Sequence, residues 1–190
     1  MSDLTKKAIK ASFLEMLDRM PLSEISVKKI ADSCGINRNT FYYHYEDLPS
    51  LIDEIISEQL SLMFPEDASA DSLENGIFSV LDYASKNRRS IFHIYNSVSR
   101  SIFEDYLWKY TDKIIREYLT PEFARRKLND ADSEMIISVL RCLLAGLTLD
   151  YVNSGMSEKN AQYIHLMFTT FHGAIEDMMD RCDRISANYQ

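Results

Sequence analysis

Glycine is scarce in this chain, five residues in 190, and none stands in a pattern that cradles phosphate or sharpens a nucleophile. There is no P-loop, no GxSxG, no dinucleotide-binding glycine turn and no HExxH, so the commonest catalytic signatures are missing and an enzyme is not expected. Only three cysteines occur, Cys34, Cys142 and Cys182, widely separated and without CxxC spacing. That rules against a disulfide scaffold, and their apolar helical neighbours predict reduced thiols in a core. His165 and His172 lie seven apart on one helix face, but no carboxylate or cysteine has ligand spacing to them. Neither a metal nor any other cofactor is therefore expected. The first ten residues, MSDLTKKAIK, have no apolar core of the kind a secretory signal needs. Alternating hydrophobicity is absent as well, which argues against strands.

The longest apolar run, Met135 to Val152, carries Arg141 and Asp150. Each charge would cost a lipid-exposed span several kcal/mol, so the run reads as a buried helix of a cytoplasmic protein with no membrane partner. Its apolar character extends almost all round, which predicts burial on several sides. Net charge is −8, yet it is unevenly spread. Residues 1–50 hold seven Lys/Arg and seven Asp/Glu, and the whole excess of acid lies beyond them. A neutral head on an acidic body could meet a polyanion in one orientation only.

What the chain does have is helical periodicity throughout, so the fold is expected to be all-α. Ile9, Phe13, Met16, Leu17 and Met20 stripe a first helix, over about 3–20, that Pro21 ends. Ser26 is a natural N-cap for a second, whose inner face is Val27, Ile30, Ala31 and Cys34. Gly35 can turn left-handed and stop it, and Asn37 can cap a short third helix from Arg38 to about His44. Asp47 can cap a fourth, with Pro49 in its first turn, running to about Phe64. Past the polar linker PEDASADS, further helices are expected near 71–86, 88–97, 99–119, 132–154 and 158–182, with Pro121 ending the third of these. Two domains follow from this pattern: residues 1–47 with a connecting helix at 48–64, and residues 65–190.

Two short helices around a glycine turn have helix-turn-helix spacing. In TFYYHY the aromatics cannot all share one buried face, because only positions three and four apart align. Phe41 and Tyr45 pair inward, which leaves Arg38, Asn39, Thr40, Tyr42, Tyr43 and His44 to look outward. An Arg and an Asn opening such a helix can read guanine and adenine edges in the major groove. The hydroxyls of Thr40, Tyr42 and Ser26, with Lys28 and Lys29, suit phosphate oxygens.

The stretch SVKKIADSCGINRNTFYYHYEDLPSLI closely resembles the DNA-binding segment of the TetR family of bacterial transcriptional regulators. The resemblance covers about residues 5–60 and implies that Arg38, Asn39, Thr40, Tyr42, Tyr43 and His44 lie on a recognition helix. Tyr42 and His44 then fall where the family usually touches phosphate. One position departs. The family commonly has a phosphate-binding lysine where this chain has Leu48, which predicts weaker nonspecific binding and heavier reliance on Lys28, Lys29 and Arg38.

The C-terminal half offers two further sites. Leu143, Gly146 and Leu147, with Ile164, Phe168, Phe171, Gly173 and Ile175, are read as a homodimer interface, with Gly146 and Gly173 expected mid-helix where backbones approach closely. The resemblance implies the same, since the family pairs its final two helices with their copies. Phe92, Tyr95, Tyr106, Trp108 and Tyr110 are read either as plain core or as the lining of a small-molecule effector pocket.

The expectation is a dimeric, TetR-type repressor that binds a double-stranded operator, an inverted repeat, under an effector's control. Two alternatives stand beside it: a helical protein–protein interaction module, and a DNA-binding regulator controlled by a protein co-regulator.

Overall fold

The computed structural model describes residues 2–64, 70–96, 100–171 and 173–188, and every regular element among them is helical. In order these are α1 (Ser2–Arg19), a single 3-10 turn (Leu22–Glu24), α2 (Val27–Cys34), α3 (Arg38–His44), α4 (Leu48–Met63), α5 (Ala70–Lys86), α6 (Arg88–Tyr95), α7 (Arg100–Arg126), α8 (Asp130–Asn153), α9 (Glu158–Thr170) and α10 (Ala174–Asn188). The chain forms two compact units that do not follow sequence order. One takes residues 1–63 and 86–106, the other 64–85 and 107–190. The linker expected at 65–72 lies mostly outside the described residues, as does His172.

The first unit is built on the stripes that the sequence predicts. Ile9, Phe13 and Leu17 of α1 meet Ile30 of α2, Phe41 and Tyr45 around α3, and Leu51, Ile52 and Ile55 of α4 in one core. Full burial of an aliphatic or aromatic side chain is worth about 1.5–3 kcal/mol, so this cluster dominates the unit's stability. Ile94 of α6 and Tyr106 of α7 pack against the same core. A backbone vacancy explains how α6 docks. The carbonyl of Leu17 would normally accept from residue 21, but that residue is Pro21 and has no N–H. His93 fills the gap, its Nδ1 lying 2.6 Å from the Leu17 oxygen. A carbonyl can only accept, so Nδ1 carries the proton. Tyr106 adds a second tie by donating to the Pro49 carbonyl at 2.8 Å.

The second unit centres on Ile115, Leu119 and Phe123 of α7, Ile136, Ile137 and Leu140 of α8, and Met179 and Cys182 of α10. Arg116 links α7 to α8 by a two-pronged contact with Glu134 at 2.6 and 2.8 Å. Arg141 reaches back to Asp112 at 3.1 Å.

Several sequence expectations are corrected here. Pro121 does not end its helix: α7 continues through it to Arg126. A proline inside a helix costs about 3 kcal/mol, and Leu119 and Phe123, buried in one core on either side, offset that cost. The helix expected over 158–182 is two helices, α9 and α10. Thr169 and Thr170 turn their hydroxyls back on the carbonyls of His165 and Leu166, which weakens a last turn. Gly173 then adopts φ +80 between the two helices, so it marks a helix break and is not a mid-helix contact. Gly146 is helical but exposed, with nothing of its own chain near the place a Cβ would take. Nor is α8 buried on several sides, since Met135, Val139 and Leu143 are exposed. By length and composition alone α8 is apolar enough to cross a membrane, though only a third of its most apolar window is buried. Cys142, on the same helix, is exposed instead of core; Cys34 is half-buried and Cys182 buried.

Candidate DNA-binding site

Local rules set the site's frame. Ser26 caps α2, its hydroxyl accepting from the Lys29 amide at 3.3 Å. Gly35 stops that helix at φ 65, ψ 29, the left-handed conformation that lacks the usual Cβ clash only in glycine. The Ile36 amide folds back to the Ala31 carbonyl at 3.0 Å, and its side chain joins the core. Asn37 then opens α3, its side chain accepting from the Asn39 amide at 2.9 Å. Three residues thus separate two short helices, and both ends of the turn are capped.

α3 is divided in two by burial. Phe41 is fully buried and Tyr45 is 3% exposed. Their rings lie 5.6 Å apart, and Tyr42 meets Phe41 edge-on at 5.7 Å. On the outer side Tyr43 is 82% exposed and Tyr42 55%. Arg38 and Asn39 are exposed, and Thr40 and His44 are half-buried. The His44 ring stands edge-on to Tyr43 at 5.1 Å. The outward residues chosen from sequence therefore line one continuous rim of a helix whose other rim is core.

The charges of this unit are less available than their number suggests. Lys7 pairs with Asp3 and Arg19 with Glu15, each one turn along α1. Lys6 and Lys10 both bond Glu54, and Lys10 also bonds Glu58. Lys29 is folded onto the Glu24 carbonyl at 2.8 Å. Lys28 and Arg38 are exposed and form no ion pair among the described residues. Burial alone would raise the Glu54 carboxyl, but hydrogen bonds from Lys10 and Lys6 and their charges outweigh it and hold the group at about 2. Burial, with the Glu54 charge beside it, pushes the Tyr45 phenol well above its ordinary range.

Sequence reasoning missed this lysine–glutamate–tyrosine cluster. Its signal was legible: Lys6 and Lys10 are four apart, and so are Glu54 and Glu58.

The aromatics considered for an effector pocket are divided between the units. Phe92, Tyr95 and Tyr106 belong to the first, where Tyr95 stacks edge-on against Phe103 at 5.2 Å. Burial pushes the Tyr106 phenol up to about 12, with Asp53 and Asp47 adding to it. Trp108 and Tyr110 belong to the second unit; Tyr110 is buried and Trp108 is exposed, with Arg141 5.9 Å from its ring centre. That unit also has a cleft of about 360 Å³ between α7 and α8, lined by Arg116, Thr120, Phe123, Ser133 and Glu134 among others and by none of the five aromatics.

For the interface residues, Leu143, Gly146 and Phe171 are exposed, while Leu147 and Gly173 are half-buried. Ile164 is buried, Phe168 packs edge-on against Phe78 at 5.9 Å, and Ile175 packs on the second core. Exposed Met135, Val139, Tyr163 and Leu166 had not been selected from sequence.

Comparison with known proteins agrees with this architecture. Two solved structures share the fold. The dihydroxyacetone kinase operon activator DhaS has a TM-score of 0.64 at 16% identity, over 87% of this chain and 95% of that one. NalD, the secondary repressor of the MexAB-OprM multidrug efflux pump in Pseudomonas aeruginosa, has a TM-score of 0.54 at 17% identity, over 97% of each chain. No curated protein matches the sequence. Residues 71–173, more than half of the chain, match the TetR-type family model described as the transcriptional regulator C-terminal region. With that match, the chain belongs to the TetR family of transcriptional regulators and is a DNA-binding regulator of transcription.

Proposed function

We propose that the chain works as a cytoplasmic homodimer that sets one α3 from each protomer into the major groove of an inverted-repeat operator. Arg38 and Asn39 read base edges. Ser26, Lys28, Lys29, Thr40, Tyr42, Tyr43 and His44 meet the backbone and the groove walls. One observation carries this reading: α3 exposes two tyrosines, an arginine and an asparagine whose side chains make no hydrogen bond or ion pair among the described residues, while Phe41 and Tyr45 fix the helix from behind. A helix with one rim locked in core and the other uncommitted is pre-organised to read a groove.

Dimerisation uses the apolar side of α8, where Met135, Val139 and Leu143 stand exposed at helical spacing beside Gly146. The absent Cβ of Gly146 leaves room for a second backbone, a role its open surroundings support. A twofold axis then places the two α3 helices about 34–36 Å apart, one turn of duplex, or a multiple of it. An effector, small molecule or protein, shifts operator affinity only as far as it binds the two states of the dimer unequally. Since one structural neighbour is named an activator and the other a repressor, likeness of fold does not set the sign of regulation.

Selection of bound sequences from a random duplex pool tests the reading. Enrichment of an inverted repeat with half-sites one or two turns apart is expected; no enriched motif would overturn it. Thermal shifts against a metabolite panel, compared with capture from lysate, separate a small effector from a protein one.

A further inference from the structure

α3 has seven residues, too few to hold an orientation on its own. Its N-terminal end is fixed by the Asn37 cap and its middle by Phe41. Its C-terminal end is fixed by Tyr45, the residue where the backbone leaves the helix at φ −138 after the Tyr45 amide closes on the Phe41 carbonyl at 2.9 Å. The Tyr45 ring enters the core and its hydroxyl donates to Glu54 Oε1 at 3.2 Å. That carboxylate is itself held from α1. Lys6 lies 2.8 Å from Oε2 and Lys10 2.6 Å from Oε1, and the Lys6 ammonium also sits 5.3 Å from the Tyr45 ring centre. Glu58, one turn further along α4, takes the other side of Lys10 at 2.5 Å. One carboxylate therefore joins α1, α4 and the end of α3.

We propose that Glu54 is a positioning residue for operator reading, which holds the C-terminal end of the recognition helix through the Tyr45 hydroxyl. The proposal rests on the DNA-binding reading of α3 and adds to it a residue that reads no base. A bond that merely ties α1 to α4 would contribute to stability and leave the choice of sequence alone. A bond that sets how α3 lies in the groove acts differently: its loss lets Arg38 and Asn39 drift from their base edges, while charge-driven contacts to any duplex persist. Tilts of about an ångström at a reading residue are enough to spoil a two-pronged bond, because hydrogen bonds weaken steeply with angle.

The test compares full-length wild type with Tyr45→Phe, Glu54→Ala and the double variant. Affinity is measured for the selected operator and for a scrambled duplex at one salt concentration, with urea unfolding alongside. Tyr45→Phe keeps the ring in the core and removes only the hydroxyl, so it remains decisive should Glu54→Ala fail to fold. The expected result is a fall in the operator-to-scrambled ratio of about tenfold, the order of one mismatched base pair, in each single variant. The double variant should fall no further than Glu54→Ala alone, because the bond that Tyr45→Phe removes is already lost there together with the ties to Lys6 and Lys10. An unchanged ratio, or equal loss on both duplexes in step with lost stability, overturns the proposal. A wild type that selects no motif refutes the DNA-reading assignment itself, and that failure is seen before any variant is made.

Discussion

Leu48→Lys returns a cation to the first turn of α4, and the ion pairs of the first unit give the size of its effect. Of the seven Lys and Arg in residues 1–50, Lys6, Lys7, Lys10 and Arg19 are paired with carboxylates and Lys29 is bonded to a carbonyl. Lys28 remains for phosphate, Arg38 brings its charge into the groove while it reads a base edge, and Lys29 reaches the backbone only by giving up the Glu24 carbonyl. A dimer then neutralises about four phosphates, and at about 0.9 per phosphate the slope of log affinity against log salt is about −4. Leu48→Lys adds one cation per protomer and steepens that slope by about 2. Affinity between about 50 and 200 mM salt then falls about tenfold further than in wild type. Leu48 packs partly on the core, so the substitution also removes about 1 kcal/mol of stability, limited because a lysine stem can lie along the same surface. Fluorescence anisotropy of labelled operator across a salt series reads the slope directly. An unchanged slope would place the start of α4 away from the backbone. A wild-type slope of about −7 would mean that Lys6 and Lys10 leave Glu54 for phosphate, and that four cations per protomer reach the duplex instead of two.

Arg38→Ala or Asn39→Ala removes a base-edge contact, at about 1–3 kcal/mol, and relaxes preference at one operator position; an unchanged selection profile would remove that residue from base reading. Val139→Glu puts a charge on the exposed side of α8, so sedimentation should show monomer while each protomer keeps its thermal stability; an intact dimer would move the interface elsewhere. His93→Leu leaves the Leu17 carbonyl without its partner and should lower urea stability by about 1–2 kcal/mol, a cost absent if another donor takes over. Glu54 has its pKa lowered from 4.5 to about 2, so its contribution is complete above pH 4.5 and is lost as pH falls toward 2. Over that window wild type should lose stability more steeply than Glu54→Gln, and parallel curves would refute the linkage.

The helix-turn-helix was legible because each of its controls is local. Ser26, Gly35 and Asn37 act on backbone groups within five residues of themselves, and the inward pairing of Phe41 with Tyr45 follows from helical period alone. The same local logic failed at Pro121 and near residue 172. A proline's cost is local, but Leu119 and Phe123, gripped by one core, offset it through contacts no window of sequence displays. At Phe171 to Gly173 the reverse held: a good apolar stripe argued for one helix, and two threonines and a glycine broke it.

Exposure in α8 was illegible for a different reason. An all-round apolar helix says that every side is covered by something without saying by what. The chain's own core takes Ile136, Ile137 and Leu140, which leaves Met135, Val139 and Leu143 uncovered. In the proposed dimer a second protomer is the cover, which a single sequence cannot display. Gly173, which the sequence places in the interface, makes a poor probe of it: Gly173→Leu would mislead, since φ +80 strains any side chain there whether or not a partner is near. Loss of self-association in that variant would report a bent chain. Substitution at Val139, on regular helix and open to solvent, isolates the contact itself.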